Sequence, residues 1–414
     1  MRMELMVKML SPWELETQVE QLPAYSGLTY KLKPFDPITL NFFETFSKSI
    51  FSNPSINRLP EISALGFWLR RPNLASIKTE NASLLENRKV VVSPLGRVFH
   101  ICPANVDTMF VYSLTISVLM GNKNVLRVSK RMRESHIDEL FKILNAILQL
   151  SDFVVLQEYI NIISYDHNDE ISTTLSQMSN ARVIWGGDQT IQTFKKFTSG
   201  PRTKDIIFAD RISMLCIRSE SYLALDTKQR NDFAKVFFND AYTFDQMGCS
   251  SPQTIYLVGS ESSSRMCMLE MVDHLGSYVQ ANYKGEISSL ASLKLNQILD
   301  DSIDGLIVKR TGNNYLTFLE LAKEGEQVLH HGCGGGYFYV QLVESVSKLL
   351  LFTDKKVQTI SYFGLTKEDK DELAHLANGE GIDRVVPLGQ ALSFSYIWDG
   401  YNLIEELSRK CFFN

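Results

Sequence analysis

The chain predicts an α/β fold of two domains, each built on a largely parallel sheet. Short apolar strands alternate with helix-spaced stretches from about residue 89 onward, the pattern of parallel sheets with crossover helices. The alternation pauses near residues 218–226 and then resumes. A length of 414 residues also exceeds what one core holds, since single cores stop growing at about 250–300 residues.

The leader, residues 1–85, is mixed. Helical patches around Pro12 to Leu22 and Asn41 to Ser52 are separated by proline-bearing turns, so it reads as a segment packing against something larger. VVVSPLGRVFHIC (90–102) is two short apolar strands around a Leu-Gly turn. An apolar helix from about Asp107 to Met120 follows, ended by Gly121-Asn122, and then a strand from Asn124 to Val128. Within 131–150, Ile137, Leu140, Phe141, Leu144, Ile147 and Leu148 recur at helical spacing. Ala181 to Trp185 is a strand that runs through Gly186-Gly187-Asp188 into a helix marked by Ile191, Phe194 and Phe197. Ile206 to Ala209 and Ser213 to Ile217 are strand-like. Beyond Ser219 come a helix from Thr227 to Ala241, a loop to Ser251, a strand from Thr254 to Val258 and a helix from Met266 to Gln280. Gly305 to Val308, Tyr315 to Ala322, Tyr337 to Val343 and Gln358 to Tyr362 continue the series.

Composition excludes several classes. A formal charge of -5 offers no overall basic surface for nucleic acid or an anionic membrane. MRMELMVKML is interrupted by Glu4 and Lys8, which breaks the apolar run of a secretory signal. The longest apolar stretch, Thr108 to Met120, falls short of the roughly 20 residues of a spanning helix. These features predict a cytoplasmic protein. The six cysteines form no CxxC pair and the seven histidines no cluster with them, so neither a metal site nor a disulfide framework is expected.

Candidate chemistry is sparse and local. Cys249 lies in Phe-Asp-Gln-Met-Gly-Cys-Ser-Ser-Pro, between a helix and a strand, with glycine before it and small residues after it. Such a loop lets a thiol reach a substrate, and strand ends are where ligands bind in α/β folds; a core residue of the loop is the plainer alternative. Cys333, in Gly-Cys-Gly-Gly-Gly, is its rival, whereas Cys102, Cys216 and Cys267 read as buried structural thiols. No G-x-G-x-x-G or Walker-type run is present. Trp185-Gly-Gly-Asp188 offers a helix N-terminus for a phosphate, or merely a tight glycine turn. Arg127 ends an apolar strand, either exposed there or bound to a ribose or its phosphate. Asn105 follows Cys102-Pro-Ala at a strand-to-helix turn, as an N-cap or as an oxyanion donor. His330-His331 read as solvated or structural.

Taken in order, these pieces resemble the aldehyde dehydrogenase superfamily, and more closely its acyl-CoA reductase branch, the LuxC-like fatty-acid reductases. Pro103-Ala104-Asn105 is similar to the family's P-x-N segment, and Gly121-Asn-Lys-Asn-Val-Leu-Arg-Val-Ser129 to its G-N-x-x-V-L-[KR]-x-S run. Trp185-Gly-Gly-Asp188 looks like the phosphate turn, and Asp245-Gln-Met-Gly-Cys-Ser-Ser-Pro-Gln253 like the nucleophile segment. Val357-Gln-Thr359, Ile382-Asp-Arg-Val-Val-Pro-Leu-Gly389 and Ile397-Trp-Asp-Gly-Tyr401 look like the reductase branch in particular. The match runs from about residue 88 to 410.

The resemblance implies a dinucleotide-binding domain over 1–218 with the leader packed on it, a catalytic domain over 219–383, a cleft for cofactor and substrate between them, and a segment 384–414 returning to the first domain. Cys249 becomes the nucleophile, and Asn105 with the Cys249 backbone N–H the oxyanion hole. Arg127 and Ser129 approach the adenosine ribose, and Gly187 with Asp188 the phosphates. Oxidising relatives carry a glutamate in an E-L-G-G-K-like segment, but the corresponding Ile207-Phe-Ala-Asp-Arg-Ile-Ser213 has Asp210 and no glutamate. That departure points to reduction of an acyl-CoA or acylated carrier to an aldehyde. Arg127 in place of the usual lysine suits a 2′-phosphate and favours NADPH, with NADH the other candidate. The alternatives are an aldehyde dehydrogenase running in the oxidising direction and a non-redox acyl-transfer protein using the same cysteine. The branch also implies a homo-oligomer and an acyl-activating synthetase as partner.

Overall fold

In the computed structural model the chain is described over residues 5–26, 31–103, 106, 108–130, 137–322, 328, 332–349, 355–377 and 381–413. It divides into two compact units, one made of residues through Ala209 together with those from Phe394 on, the other spanning Asp210–Ser393. The break therefore falls before the strand Ile212–Arg218 rather than after it, as the 218/219 boundary required. That strand hydrogen-bonds with strands of the second unit on both sides, so its pairing decides where the domain begins. The return to the first unit likewise comes at Phe394, later than 384, because Arg384–Pro387 still pairs within the second sheet.

The first unit carries β1 (Met6–Ser11), β2 (Leu15–Gln18), β3 (Val90–Pro94), β4 (Arg97–Ile101), β5 (Lys123–Arg127), β6 (Ile160–Ser164), β7 (Ala181–Trp185) and β8 (Lys204–Phe208). Seven of them form one sheet in the order β2-β1-β6-β5-β4-β7-β8. From β6 to β8 the pairing is parallel; β1 and β2 add an antiparallel edge. Two expectations change here. The helix expected over Pro12–Leu22 is replaced by a strand, Leu15–Gln18, which pairs with β1 from Met6↔Gln18 to Met9↔Leu15, and by one short 3-10 turn, Val19–Gln21. Ile160–Ser164, absent from the sequence-based elements, is a fully buried central strand.

The inner strands are apolar on both faces, as parallel strands covered by helices must be. Phe99, Ile101, Val125, Ile163 and Ile184 pack with Ile191 and Phe194 of the helix Asp188–Lys196. All eleven residues of the helix Met109–Leu119 are buried, which accounts for its having no charged face. Among the described residues no helix is long and apolar enough to cross a membrane.

In the second unit β9 (Ile212–Arg218), β10 (Pro252–Val258), β11 (Ile307–Gly312), β12 (Thr317–Leu321), β13 (Tyr337–Val343), β14 (Val357–Phe363) and β15 (Arg384–Pro387) form a sheet ordered β11-β12-β13-β10-β9-β14-β15. Only its β11–β12 pair is antiparallel. Residues alternate between two cores: Leu215, Ile217, Ile255 and Leu257 join Phe233 and Phe237, while Met214, Cys216, Tyr256 and Val258 join Val357 and Ile360. Back in the first unit, β16 (Ile397–Trp398) and β17 (Tyr401–Asn402) form a small ribbon, and β18 (Ser408–Phe412) pairs antiparallel with β3.

Lys123 and Arg182 are buried charges of the first sheet. Arg182, in the middle of β7, meets Asp205 of β8 in a two-pronged pair, Nε to Oδ1 at 2.7 Å and Nη2 to Oδ2 at 2.6 Å. Its Nη1 donates to the carbonyls of Phe194 and Phe197, closing the last turn of the helix Asp188–Lys196. Removing one partner of such a pair strands the other charge in the core. Asp205→Ala is expected to lower unfolding free energy by about 3–5 kcal/mol, read from urea midpoints, and Arg182→Met with Asp205→Leu together to cost less than Asp205→Ala alone.

Candidate active site

The loop after the helix Thr227–Tyr242 holds two non-glycine residues in the left-handed region, Asp245 at φ 50° and Gln246 at φ 65°. Each such residue costs on the order of 1–2 kcal/mol, so something must enforce the turn. The Gln246 side chain does. Its Nε2 donates to the carbonyls of Pro252 (3.0 Å) and Tyr337 (2.7 Å), and its Oε1 accepts from the N–H groups of Gly336 (3.1 Å) and Tyr337 (2.9 Å). Gln253 Nε2 donates to the Gln246 carbonyl at 2.7 Å, and its Oε1 accepts from Gly332 N at 3.3 Å. Asp245 accepts from Tyr283 Oη at 2.7 Å through its carboxylate and from Gly335 N at 3.0 Å through its carbonyl.

The glycine run is the other half of this brace. Gly334, Gly335 and Gly336 all have positive φ, and a Cβ on Gly336 would lie 2.1 Å from Tyr242 Oη. Gly332–Gly336 therefore braces the loop that carries Cys249. His330 and His331 beside it lie outside the described residues.

Cys249 follows from that frame. It is half-buried, and its carbonyl accepts from Ser213 Oγ of β9 at 2.7 Å. The same Ser213 Oγ accepts from Thr359 N of β14 at 3.2 Å, and Ser250 Oγ donates to Gln358 Oε1 at 2.9 Å. A Cβ on Gly248 would lie 3.3 Å from Leu392 Cδ2 and 3.3 Å from Ser251 Oγ, so a larger residue there would push on both side chains. The thiol thus sits at the amino ends of β9, β10 and β14. It is a strand end, as expected, but the amino one: a loop that precedes a parallel strand lies at the opposite edge from one that follows it.

The other thiols are placed differently. Burial pushes Cys216 and Cys267 up to about 12 and raises Cys102 further. Cys333 is also raised, chiefly by burial, with the nearby Lys294 charge opposing, and it packs against the cluster of Leu319, Leu321, Tyr337 and Tyr339. Cys411 is exposed on β18, and none of the six is in a disulfide. Among the described residues no group of three or more His, Cys, Asp or Glu side chains could hold a metal ion.

In the first unit, the remaining candidates lie past carboxyl ends of neighbouring parallel strands. Arg127 ends β5 and Ser129 follows it; Gly187 and Asp188 follow β7, and β4 lies between these two strands. The chain leaves β4 toward β5 and later crosses to β7 on its other side, the reversal at which α/β sheets bind ligands. Asn105, which follows β4, lies outside the described residues. Gly187 caps the helix Asp188–Lys196, and a Cβ there would meet nothing within 4 Å, so the first-turn N–H groups open onto free space. Asp188 is exposed in that first turn, where a carboxylate favours the helix but repels a second anion. The Arg127 guanidinium lies 4.6 Å from the centre of the Tyr165 ring and has no carboxylate partner among the described residues. These features fit a dinucleotide. Tyr165 escaped the sequence reading because its strand, β6, did.

Two polar groups prove structural. His100 is wholly buried in β4, Nδ1 to Ser113 Oγ at 2.8 Å and Nε2 to Asn124 Oδ1 at 3.0 Å; burial pushes it down to about 4, so it is neutral. Asp210, the residue expected in place of the glutamate of oxidising relatives, forms a half-exposed ion pair with Lys356 at 3.7 Å. Gln246→Ala would leave two N–H and two carbonyl groups buried without partners, each costing about 1–3 kcal/mol. The expected outcome is a loss of at least about 3 kcal/mol in urea unfolding, with faster alkylation of Cys249 in the folded protein.

The acyl-CoA reductase (LuxC) family model matches residues 83–410. No curated protein matches the chain significantly. Among solved structures, glyceraldehyde-3-phosphate dehydrogenase from Methanocaldococcus jannaschii, complexed with NADP, aligns with a TM-score of 0.62 and 11% identity, covering 91% of this chain and 88% of that one. A NAD-dependent benzaldehyde dehydrogenase from Corynebacterium glutamicum gives 0.60 and 12%, over 92% and 85%. Aldehyde dehydrogenase 21 from Physcomitrella patens, in complex with succinate, gives 0.61 and 10%, over 90% and 85%. These identities speak for the fold alone, which is that of the aldehyde dehydrogenases. With the family model spanning both units and the Cys249 loop, the chain belongs to the acyl-CoA reductase (LuxC) family.

Proposed function

We propose that the protein reduces an acyl thioester, carried by CoA or by an acylated carrier, to an aldehyde through an acyl-Cys249 intermediate, with NADPH as reductant. The braced loop of Cys249 carries this reading. It presents one half-buried sulfur between small residues, while the backbone around it is tied down by Ser213, Gln246 and Gln253. The Cys249 thiolate attacks the acyl carbonyl carbon, and the oxygen takes up negative charge. The Cys249 N–H and the Asn105 amide are its donors in this scheme, each typically worth ~3–4 kcal/mol. Collapse expels the carrier thiolate, which takes a proton, and leaves the acyl group on Cys249. The reduced dinucleotide, when bound, supplies the two electrons as hydride. The resulting hemithioacetal breaks its C–S bond, releasing aldehyde and restoring the thiolate.

Gly187 and the Asp188 backbone N–H would take the phosphates, and Arg127 with Ser129 the ribose and its 2′-phosphate. Reduction is favoured over oxidation because the stretch Ile207–Ser213 offers Asp210 and no glutamate to activate water.

Intact-mass measurement after treatment with an acyl-CoA tests the nucleophile. Wild type is expected to gain the acyl mass and Cys249→Ala none; an adduct that survives in the alanine variant removes Cys249 from the scheme. Loss of nicotinamide absorbance with acyl-CoA and NADPH tests the direction. For the cofactor, Arg127→Ala is expected to lower kcat/KM with NADPH by about tenfold or more while changing the NADH value little.

A further inference from the structure

The segment Gly389–Ser393 is a pair of turns just before the chain leaves the second unit, and it is gripped from two sides. Asp240, in the last turn of the helix Thr227–Tyr242 and 1% exposed, accepts from Gly389 N at 2.6 Å through Oδ2 and from Ala391 N at 3.1 Å through Oδ1. Arg384, on β15, donates to the carbonyls of Gln390 (3.3 Å), Ala391 (3.0 Å) and Ser393 (2.9 Å). Gly389 has φ 93°, and a Cβ there would lie 2.9 Å from Val236 Cβ, so the segment is pressed onto the same helix.

This is an expensive way to hold a turn. A carboxylate near a helix C-terminus is at the unfavourable end of the dipole, and burial adds a desolvation cost. Burial pushes the Asp240 carboxyl up to about 6, against the pull of the backbone N–H groups and the Arg384 charge. What the grip secures is the side chain of Leu392, which lies against Gly248, the residue before Cys249.

We propose that Asp240 and Arg384 are positioning residues for Cys249, acting through the strap Gly389–Ser393, which sets Leu392 against the nucleophile loop. Its bearing on catalysis rests on Cys249 being the nucleophile. Without the carboxylate the strap's N–H groups lose their acceptor, Leu392 withdraws, and the loop carrying the thiol gains freedom.

The test compares Asp240→Asn, Asp240→Ala and Leu392→Ala in the full chain. The rate of iodoacetamide alkylation is read at the Cys249 peptide by mass spectrometry, without substrate, beside kcat, KM and Tm. All three are expected to alkylate faster than wild type. The kcat for aldehyde formation should fall by about tenfold or more in the two alanine variants, with KM little changed, and Asp240→Asn, which keeps one acceptor, should lie between. Adding Asp240→Asn to Leu392→Ala should not speed alkylation further, because both act through one contact. If Asp240→Ala does not fold, the other two carry the comparison. A lowered Tm with an unchanged Cys249 alkylation rate would overturn the proposal and leave the carboxylate a stabilising role only. Reductase activity that survives Cys249→Ala would instead sink the functional reading, and the alkylation comparison stands apart from it.

Discussion

A buried primary amide has two donor and two acceptor sites, and leaving any of them empty in the core is costly. Gln246 fills all four from strand entries and the glycine run, taking bonds from Gly336 and Tyr337 and giving them to Pro252 and Tyr337. Because Tyr337 begins β13 and Pro252 begins β10, one side chain fixes where two neighbouring strands start. The left-handed turn at Asp245 and Gln246 persists because this set of bonds admits no other path. Everything said of Cys249 depends on it, since a thiol three residues further on inherits its position from that turn.

The two sheets use opposite edges. In the first, the groups suited to a dinucleotide lie past the carboxyl ends of β5 and β7, where a helix begins and offers unpaired N–H groups. In the second, Cys249 lies at the amino ends of β9, β10 and β14, where strand backbones begin. There Thr359 N already donates to Ser213 Oγ, and Ser213 Oγ in turn donates to the Cys249 carbonyl. The chain of bonds orients the peptide plane of Cys249 from outside its own loop, and so fixes the direction of the neighbouring backbone.

What could be read beforehand followed from how local each signal was. Ala181–Trp185 matches its strand residue for residue because an apolar run ends at two glycines. Cys249 stood out through Gly248 and the small residues after it, and Leu392 lies against that glycine. Leu15–Gln18 could not be seen, since Leu-Glu-Thr-Gln has no strand pattern and is held extended only by β1. Ile160–Ser164 runs directly out of the short helical turn Val154–Glu158 with no glycine or proline between, so nothing marked its start, and Tyr165 was lost with it. The boundary at 209 was hidden for a similar reason. Whether β9 belongs to one sheet or the other is decided by partners more than a hundred residues away in β14.

Buried charge in this chain is spent on irregular backbone. Arg182 binds two carbonyls at a helix end, Arg384 three carbonyls of a turn, and Arg211 the carbonyls of Lys356, Val357 and Gly381 together with the Asp383 carboxylate. Strand and helix interiors satisfy their own polar groups, but loops that feed strand ends cannot, and apolar packing gives a carbonyl nothing. A guanidinium supplies several donors in one plane, enough to saturate a turn from a single side chain. Arg211 stands immediately before β9 and reaches the start of β14, next to Gln358 and Thr359, whose own bonds go to Ser250 and Ser213. The amino edge that carries Cys249 is thereby fixed from the Arg211 side as well as through Gln246. Two braces therefore hold the strand starts around Cys249, a charged one at β9 and β14 and a neutral one at β10 and β13.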